Sequence, residues 1–118
     1  MNLVFVYGTL KRGGVNDALL EGQEFAGEAR TSGGYALYDL GDYPGMVAAP
    51  GAPGVNGEVW SVDNACLAGL DALEGTAEGL YSREVVPMRA PFADRRVEAY
   101  LYLGSIEGRA PLGSAWSP

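Results

Sequence analysis

Two short segments carry the residue types and spacing that could do chemistry. The first, Tyr7-Gly8-Thr9-Leu10-Lys11-Arg12-Gly13-Gly14, follows directly on an apolar N-terminal run. It lacks the G-x-x-x-x-G-K-S/T spacing of a P-loop, so nucleoside triphosphate binding has no support. Two readings stay open: a glycine-eased turn out of a strand, or a turn whose successive backbone N–H groups face an anion such as a carboxylate. The second segment is Leu70-Asp71-Ala72-Leu73-Glu74-Gly75, followed by Tyr81-Ser82-Arg83. A solvated helix end is the plain reading of Glu74. Yet a glutamate in a last helical turn opposes the helix dipole, which favours a cation there. Such locally unfavourable choices concentrate at functional sites. A paired-carboxylate glycosidase site built from Glu74 and Glu78 is set aside, because Gly75 interrupts the helix between them.

What the chain lacks is equally informative. Its 118 residues include no histidine and one cysteine, Cys66. That composition removes Ser-His-Asp and Cys-His catalysis, the usual zinc sites, intrachain disulfides and haem attachment. Acid–base chemistry is left to carboxylates, tyrosines or the lone lysine. Eight basic residues against fifteen acidic ones give a net charge of −7. Nucleic-acid binders take most of their affinity from phosphate neutralisation, so neither nucleic acid nor an anionic membrane surface is an expected partner. No apolar run approaches the roughly 20 residues that span a bilayer. The opening MNLVFVYGTL has neither the basic segment nor the small-residue cleavage site of a signal peptide. A soluble, cytoplasmic protein is the expectation.

The elements that must position these residues can be read from periodicity. Leu3 to Tyr7 is a continuous apolar run and reads as a buried strand ending at Gly8. Further strands are expected at Gln23–Arg30, Tyr35–Tyr38, Met46–Ala48, Val55–Val62, Tyr81–Met88 and Arg95–Leu103. Leu67, Leu70 and Leu73 recur at helical spacing behind Asp63, a plausible N-cap, and before Gly75, which suits a left-handed C-terminal cap. A helix is therefore expected at about residues 64–74, with a weaker helical turn near Asn16–Leu20. Eighteen glycines punctuate these segments. The pattern predicts one α+β domain over residues 1–118: a small, mixed or antiparallel, partly closed β-barrel of about six strands with one main packed helix. Residues 104–118, rich in Gly, Pro and Ser, are expected as a C-terminal tail over the surface.

The chain resembles the γ-glutamylcyclotransferase-like family, and within it the γ-glutamylamine cyclotransferases and their bacterial relatives. The resemblance runs through V-F-V-Y-G-T-L-K-R-G at Val4 to Gly13, Asn16, and Tyr43-Pro44. It continues through Gly57-Glu58-Val59-Trp60-Ser61-Val62 into Asp63, then Leu70 to Gly75 and Tyr81-Ser82-Arg83. It implies a small β-barrel with a packed helix, an anion-binding loop at Tyr7, Gly8, Thr9 and Leu10, and a general base at Glu74. Tyr43 and Tyr81 are expected at the pocket. It also implies a reaction without metal or cofactor: the α-amino group of a γ-glutamyl substrate attacks its own γ-carbonyl, releasing 5-oxoproline and a free amine.

Magnitudes sharpen that expectation. An α-ammonium has a pKa of roughly 8, so a glutamate at about 4.3 would take its proton uphill by nearly 4 units, about 5 kcal/mol. Burial that raised Glu74 to about 6–7 would remove some 2–3 kcal/mol of this. A backbone N–H or a tyrosine such as Tyr81 is a candidate donor to the developing oxyanion. Asn16, Pro44 and Arg83 read first as a turn, a rigid bend and a surface ion pair. The Gly/Pro-rich segment between Gly41 and Val55 is expected to rim the pocket and to select what the γ-glutamyl group is attached to. Two rival functions share the sequence: a non-catalytic binder of a small carboxylate in the same pocket, and an interaction or scaffold domain.

Overall fold

The computed structural model describes residues 1–116. The chain runs β1 (Asn2–Val6), a 3-10 turn (Asp17–Leu20), β2 (Glu24–Arg30), β3 (Tyr35–Asp39), β4 (Pro44–Ala48) and β5 (Asn56–Val62). It continues through α1 (Asn64–Glu74), β6 (Tyr81–Val85), β7 (Val97–Tyr102) and β8 (Pro111–Gly113). Five strands form one sheet in the order β2-β5-β1-β7-β6, and three form another in the order β4-β3-β8. The central strand β1 pairs antiparallel with β5 and parallel with β7.

The α+β class stands, but the barrel does not close: eight strands in two sheets replace about six strands in one barrel. The added strand explains part of the difference. β8 lies inside the segment expected as a surface tail and is held by pairing to β3, with Leu37 opposite Gly113 and Tyr38 opposite Pro111. A three-residue strand shows no alternation of its own, so only its partner reveals it. Ser117 and Pro118, the end of that tail, lie outside the described residues. The strand expected at Tyr81–Met88 leaves the ladder after Val85. Beyond it the Ser32 N–H donates to the Pro87 carbonyl, and Met88 bridges to Thr31. Pro87 has no N–H to offer a ladder, which favours such a departure.

Two apolar clusters hold the layers together. Phe5, Val59, Val97 and Ala99 of the large sheet pack with Leu37 and Met46 of the small one. On the opposite face, Val4, Val6, Val62 and Tyr100 pack with Leu67 and Leu70 of α1 and with Leu20 of the 3-10 turn. β1 is thus covered on both faces, as its unbroken apolar run requires. β7 is covered on both faces too, so the alternation along Val97–Tyr102 separates two cores rather than core from solvent.

Candidate active site

Four element ends meet at one cavity of about 280 Å³. The end of β1 and the following turn supply Val6 to Leu10, and the start of β4 supplies Pro44 with Tyr43 before it. The last turn of α1 supplies Leu73 and Glu74, the approach to β6 supplies Leu80 and Tyr81, and Asn16 completes the lining. The volume lies just below the range of ligand pockets, which typically run from about 300 to 1,000 Å³.

Local chemistry explains why α1 stops where it does. Asp63 caps its start by accepting the Cys66 N–H at 2.7 Å, a bond that also holds the Asp63 carboxyl below its ordinary pKa. At the other end Gly75 is left-handed, with φ 66° and ψ 41°. Its N–H donates to the Ala72 carbonyl and the Thr76 N–H to the Asp71 carbonyl, the paired bonds of a Schellman ending. A Cβ on Gly75 would lie 2.7 Å from Leu80 Cδ1, so the glycine also lets Leu80 fold back over the helix end. One residue therefore terminates the helix at Glu74 and brings Leu80 beside it.

Glu74 is half-buried at the cavity wall, and burial pushes its carboxyl up to about 7. In the same lining, the backbone N–H groups of Gly8, Thr9 and Leu10 find no acceptor among the described residues, although the turn is otherwise well bonded. The Lys11 N–H donates to the Gly8 carbonyl and the Asn16 N–H to the Thr9 carbonyl. Asn16 also donates through Nδ2 to Thr9 Oγ1 at 3.0 Å, which leaves the threonine's own proton unspent. Asn16 is thus both the turn residue expected and part of the cavity lining.

The cations that follow in sequence face elsewhere. Arg12 pairs with the buried Glu58 at 3.1 Å, and Lys11 donates to the Trp116 carbonyl. An anion held at this turn meets backbone dipoles and not a side-chain cation.

The tyrosines divide between structure and lining. The Tyr7 hydroxyl is buried; it donates to the Tyr100 carbonyl at 2.6 Å and accepts the Met46 N–H at 3.2 Å, joining the two sheets. Burial, with Tyr81 and Glu74 nearby, pushes the Tyr7 phenol well up. Tyr81 donates to the Pro44 carbonyl at 3.1 Å, and burial and Glu74 raise its pKa. With its proton so directed, Tyr81 is not the free oxyanion donor that its place in sequence suggested. Tyr43 stands at the mouth, half in solvent.

Of the Gly/Pro-rich segment expected to rim the pocket, Tyr43 and Pro44 reach it; the segment then turns into β4 and joins the small sheet. Pro44 does more than bend the chain. A Cβ at Gly8 would lie 2.9 Å from Pro44 Cγ, so the turn and the proline are in direct contact. Arg83 lies outside the cavity lining, in an ion-pair network with Asp71 at 3.2 Å and Glu98 at 3.5 Å. Leu73 and Leu80 were not singled out by sequence reasoning. Leu73 is one of the helical leucines and reads as core; only the turn at Gly75 discloses that it faces the cavity beside Leu80.

The open two-sheet α+β fold thus brings a half-buried carboxylate and the Tyr7–Leu10 turn to one cavity. The model of the family "Gamma-glutamyl cyclotransferase, AIG2-like" matches residues 4–117, and the chain belongs to that family. It is 37% identical over 105 residues to the gamma-glutamylcyclotransferase family protein YtfP of Escherichia coli, covering 89% of this chain and 86% of that one. A Vibrio cholerae protein provisionally named a gamma-glutamylcyclotransferase is 51% identical over 73 residues, 62% of each chain; the match spans less than two thirds of that relative. Among solved structures, an AIG2-like protein from Mus musculus superposes with a TM-score of 0.81 at 26% identity, covering 97% of this chain and 87% of the other. No helix among the described residues is long and apolar enough to cross a membrane.

Proposed function

We propose that the chain is a γ-glutamyl cyclotransferase with Glu74 as its general base and the Tyr7–Leu10 turn as its carboxylate site. One observation carries the reading: the raised Glu74 carboxyl and the residues Gly8, Thr9 and Leu10, whose N–H groups have no acceptor among the described residues, line the same small cavity. The backbone donors take the substrate α-carboxylate and so select one conformer of a flexible γ-glutamyl chain. Selecting that conformer places the α-nitrogen against the γ-carbonyl carbon of the same molecule.

The proton balance is then straightforward. Glu74, ionised, takes a proton from the α-ammonium, and the freed lone pair attacks the γ-carbonyl carbon. The tetrahedral adduct collapses as the bond from that carbon to the amide nitrogen breaks. Two protons pass in all from the α-nitrogen to the departing nitrogen, which leaves as an ammonium, and one carboxylate that begins and ends ionised serves both transfers. With Glu74 at about 7, the first transfer is uphill by only about one unit, or 1.4 kcal/mol, against an ammonium of pKa about 8. Tyr7 and Tyr81 spend their protons on main-chain carbonyls, so the oxyanion falls to other donors.

The test is 5-oxoproline release from a panel of γ-glutamyl compounds by the wild type and by Glu74→Gln. The expected result is turnover by the wild type and its loss in the variant by about 10²–10⁴-fold, the usual weight of a general base. Binding of γ-glutamyl compounds without turnover, unchanged in Glu74→Gln, would replace this reading with the non-catalytic carboxylate binder.

A further inference from the structure

Glu58 is the one charged residue buried among the described residues, at 7% exposure. It stands in the Gly57-Glu58-Val59-Trp60 stretch of β5, which the proposed proton transfers do not use. Burying a carboxylate is costly unless its oxygens find donors, and here every donor is accounted for. Oε1 accepts the Arg12 N–H at 3.0 Å and the Trp60 indole N–H at 3.1 Å, while Oε2 accepts from Arg12 Nε at 3.1 Å. Phe25, which pairs with Trp60 across β2 and β5, closes the arrangement. Its ring meets the indole edge-on at 5.4 Å and carries the Arg12 guanidinium 3.9 Å from its centroid.

The bond to the Arg12 main chain is the informative one. Gly8 lies between two cavities: the one that Glu74 lines, and a second of about 310 Å³ that Lys11, Arg12 and Glu58 line. The N–H groups of Lys11 and Gly14 close on carbonyls within the turn, and that of Gly13 on Asp17, four residues on. The Arg12 N–H alone leaves the turn for a distant strand, 46 residues away in sequence. That strand is a fixed point, because β5 is interior and pairs with both β1 and β2. Glu58 lies opposite Val6, the last residue of β1. A Cβ on Gly57 would collide with the Val6 carbonyl, so the glycine lets β5 come close where the turn begins.

We propose that Glu58 is a positioning residue of the carboxylate site: through the Arg12 N–H it ties the turn to β5 and so holds the Gly8, Thr9 and Leu10 N–H groups ready for the substrate. The assignment rests on the cyclotransferase reading, which puts the α-carboxylate at that turn. A site made of backbone dipoles depends on preorganisation, since donors that the ligand itself must order bind it less tightly. Glu58 acts by reach, by keeping an oxygen at the Arg12 N–H. Its charge is answered by Arg12, and it lies outside the lining of the Glu74 cavity.

The test separates reach from charge. Glu58→Asp keeps the charge and withdraws the carboxylate by one methylene; Glu58→Gln keeps an oxygen at full reach and gives up the ion pair. The readouts are kcat and KM for a γ-glutamyl compound that the wild type turns over, the Kd of L-5-oxoproline by calorimetry, and urea unfolding. Glu58→Asp is expected to raise KM and Kd by about tenfold with kcat within about threefold. Glu58→Gln is expected to hold both constants within about twofold of the wild type, even where it loses stability. Glu58→Met, of similar length and with no oxygen to offer, is expected to match Glu58→Asp and replaces it should that variant not fold. Unmoved KM and Kd in the Asp and Met variants overturn the positioning role and leave the cyclotransferase reading intact, and so does a rise in Glu58→Gln as large as theirs. Absence of 5-oxoproline release from every γ-glutamyl compound overturns the cyclotransferase reading. The same order of Kd values for L-5-oxoproline would then still uphold the tether, and loss of that order would overturn it too.

Discussion

The Tyr100 hydroxyl donates a 2.7 Å hydrogen bond to Asp71, tying the last turns of α1 to β7. Asp71 stands three residues before Glu74, so this bond anchors the helix end that carries the candidate base. Arg83 adds a second hold on the same carboxylate at 3.2 Å. The Tyr100 carbonyl in turn accepts from Tyr7, at the start of the Tyr7–Leu10 turn. One residue of β7 thus touches both halves of the site, by its side chain on the Glu74 side and by its main chain on the other.

Tyr100→Phe keeps the buried ring and removes only the hydroxyl. A hydrogen bond to a charged group contributes about 1.5–3 kcal/mol, and Asp71 regains some water, so a loss of about 1–2 kcal/mol is expected in urea unfolding. A looser helix end gives Glu74 more solvent, and the acid limb of the pH–activity profile is expected to move below that of the wild type. A stability loss with an unmoved limb would reduce Asp71–Tyr100 to a purely structural contact.

Tyr7→Phe leaves two buried main-chain groups, the Tyr100 carbonyl and the Met46 N–H, without their side-chain partner. Each such group costs about 1–3 kcal/mol, so the variant is expected to lose about 2–6 kcal/mol. Equilibrium denaturation checks this, and a loss below about 0.5 kcal/mol would show that water or rearrangement replaces the bonds.

Glu74 gives stability an unusual pH dependence. Its folded pKa of about 7 lies above the ordinary 4.5, so between those values the native state holds a proton that the unfolded chain does not. Stability from this group is therefore highest below about 4.5, declines as pH rises to about 7, and is then level. The decline amounts to about 3 kcal/mol. Glu74→Gln removes the ionisation, so the variant is expected to gain on the wild type across that window and to be more stable above pH 7 while inactive. Parallel stability profiles for the two proteins would contradict a desolvated Glu74.

On the proposed cyclotransferase reading, the same group sets the pH dependence of turnover. The ionised carboxylate is the active form, so kcat/KM is expected to rise tenfold per unit below about pH 7 and then level off. A profile whose acid limb falls near 4.5 would speak against a buried base.

Gly8→Ala tests the contact between the carboxylate turn and Pro44. The new Cβ would lie 2.9 Å from the proline ring, and both the turn and Pro44 line the cavity. Overpacking of this kind costs about 1–3 kcal/mol. On the proposed reading the turn binds the part of the substrate that does not react, so the loss is expected mainly in KM, read from initial rates at varied substrate.

Much of the site's position was legible because its signals are local. Asp63 and Gly75 bracket α1 within a stretch of thirteen residues, and the apolar run ending at Gly8 marks β1 as buried. The absence of histidine confines proton transfer to other groups, and Glu74 stands out by its place against the helix dipole. Each of these rests on backbone preferences or composition, which a chain carries whether folded or not.

What only the tertiary structure decided depends on residues far apart in sequence. The Tyr7–Tyr100 bond spans 93 residues and the Tyr81–Pro44 bond 37, and they commit two tyrosine protons that sequence left free. β8 exists because β3 offers it an edge, and β7 is buried twice because a layer covers each of its faces. Leu73 becomes a pocket residue, and Glu74 a carboxyl near 7, because Leu80 and the β1 turn close around them. Burial and the desolvation that follows are properties of the assembled layers. The residue types at hand were set by the sequence, but the cavity that relates them appears only when four element ends meet.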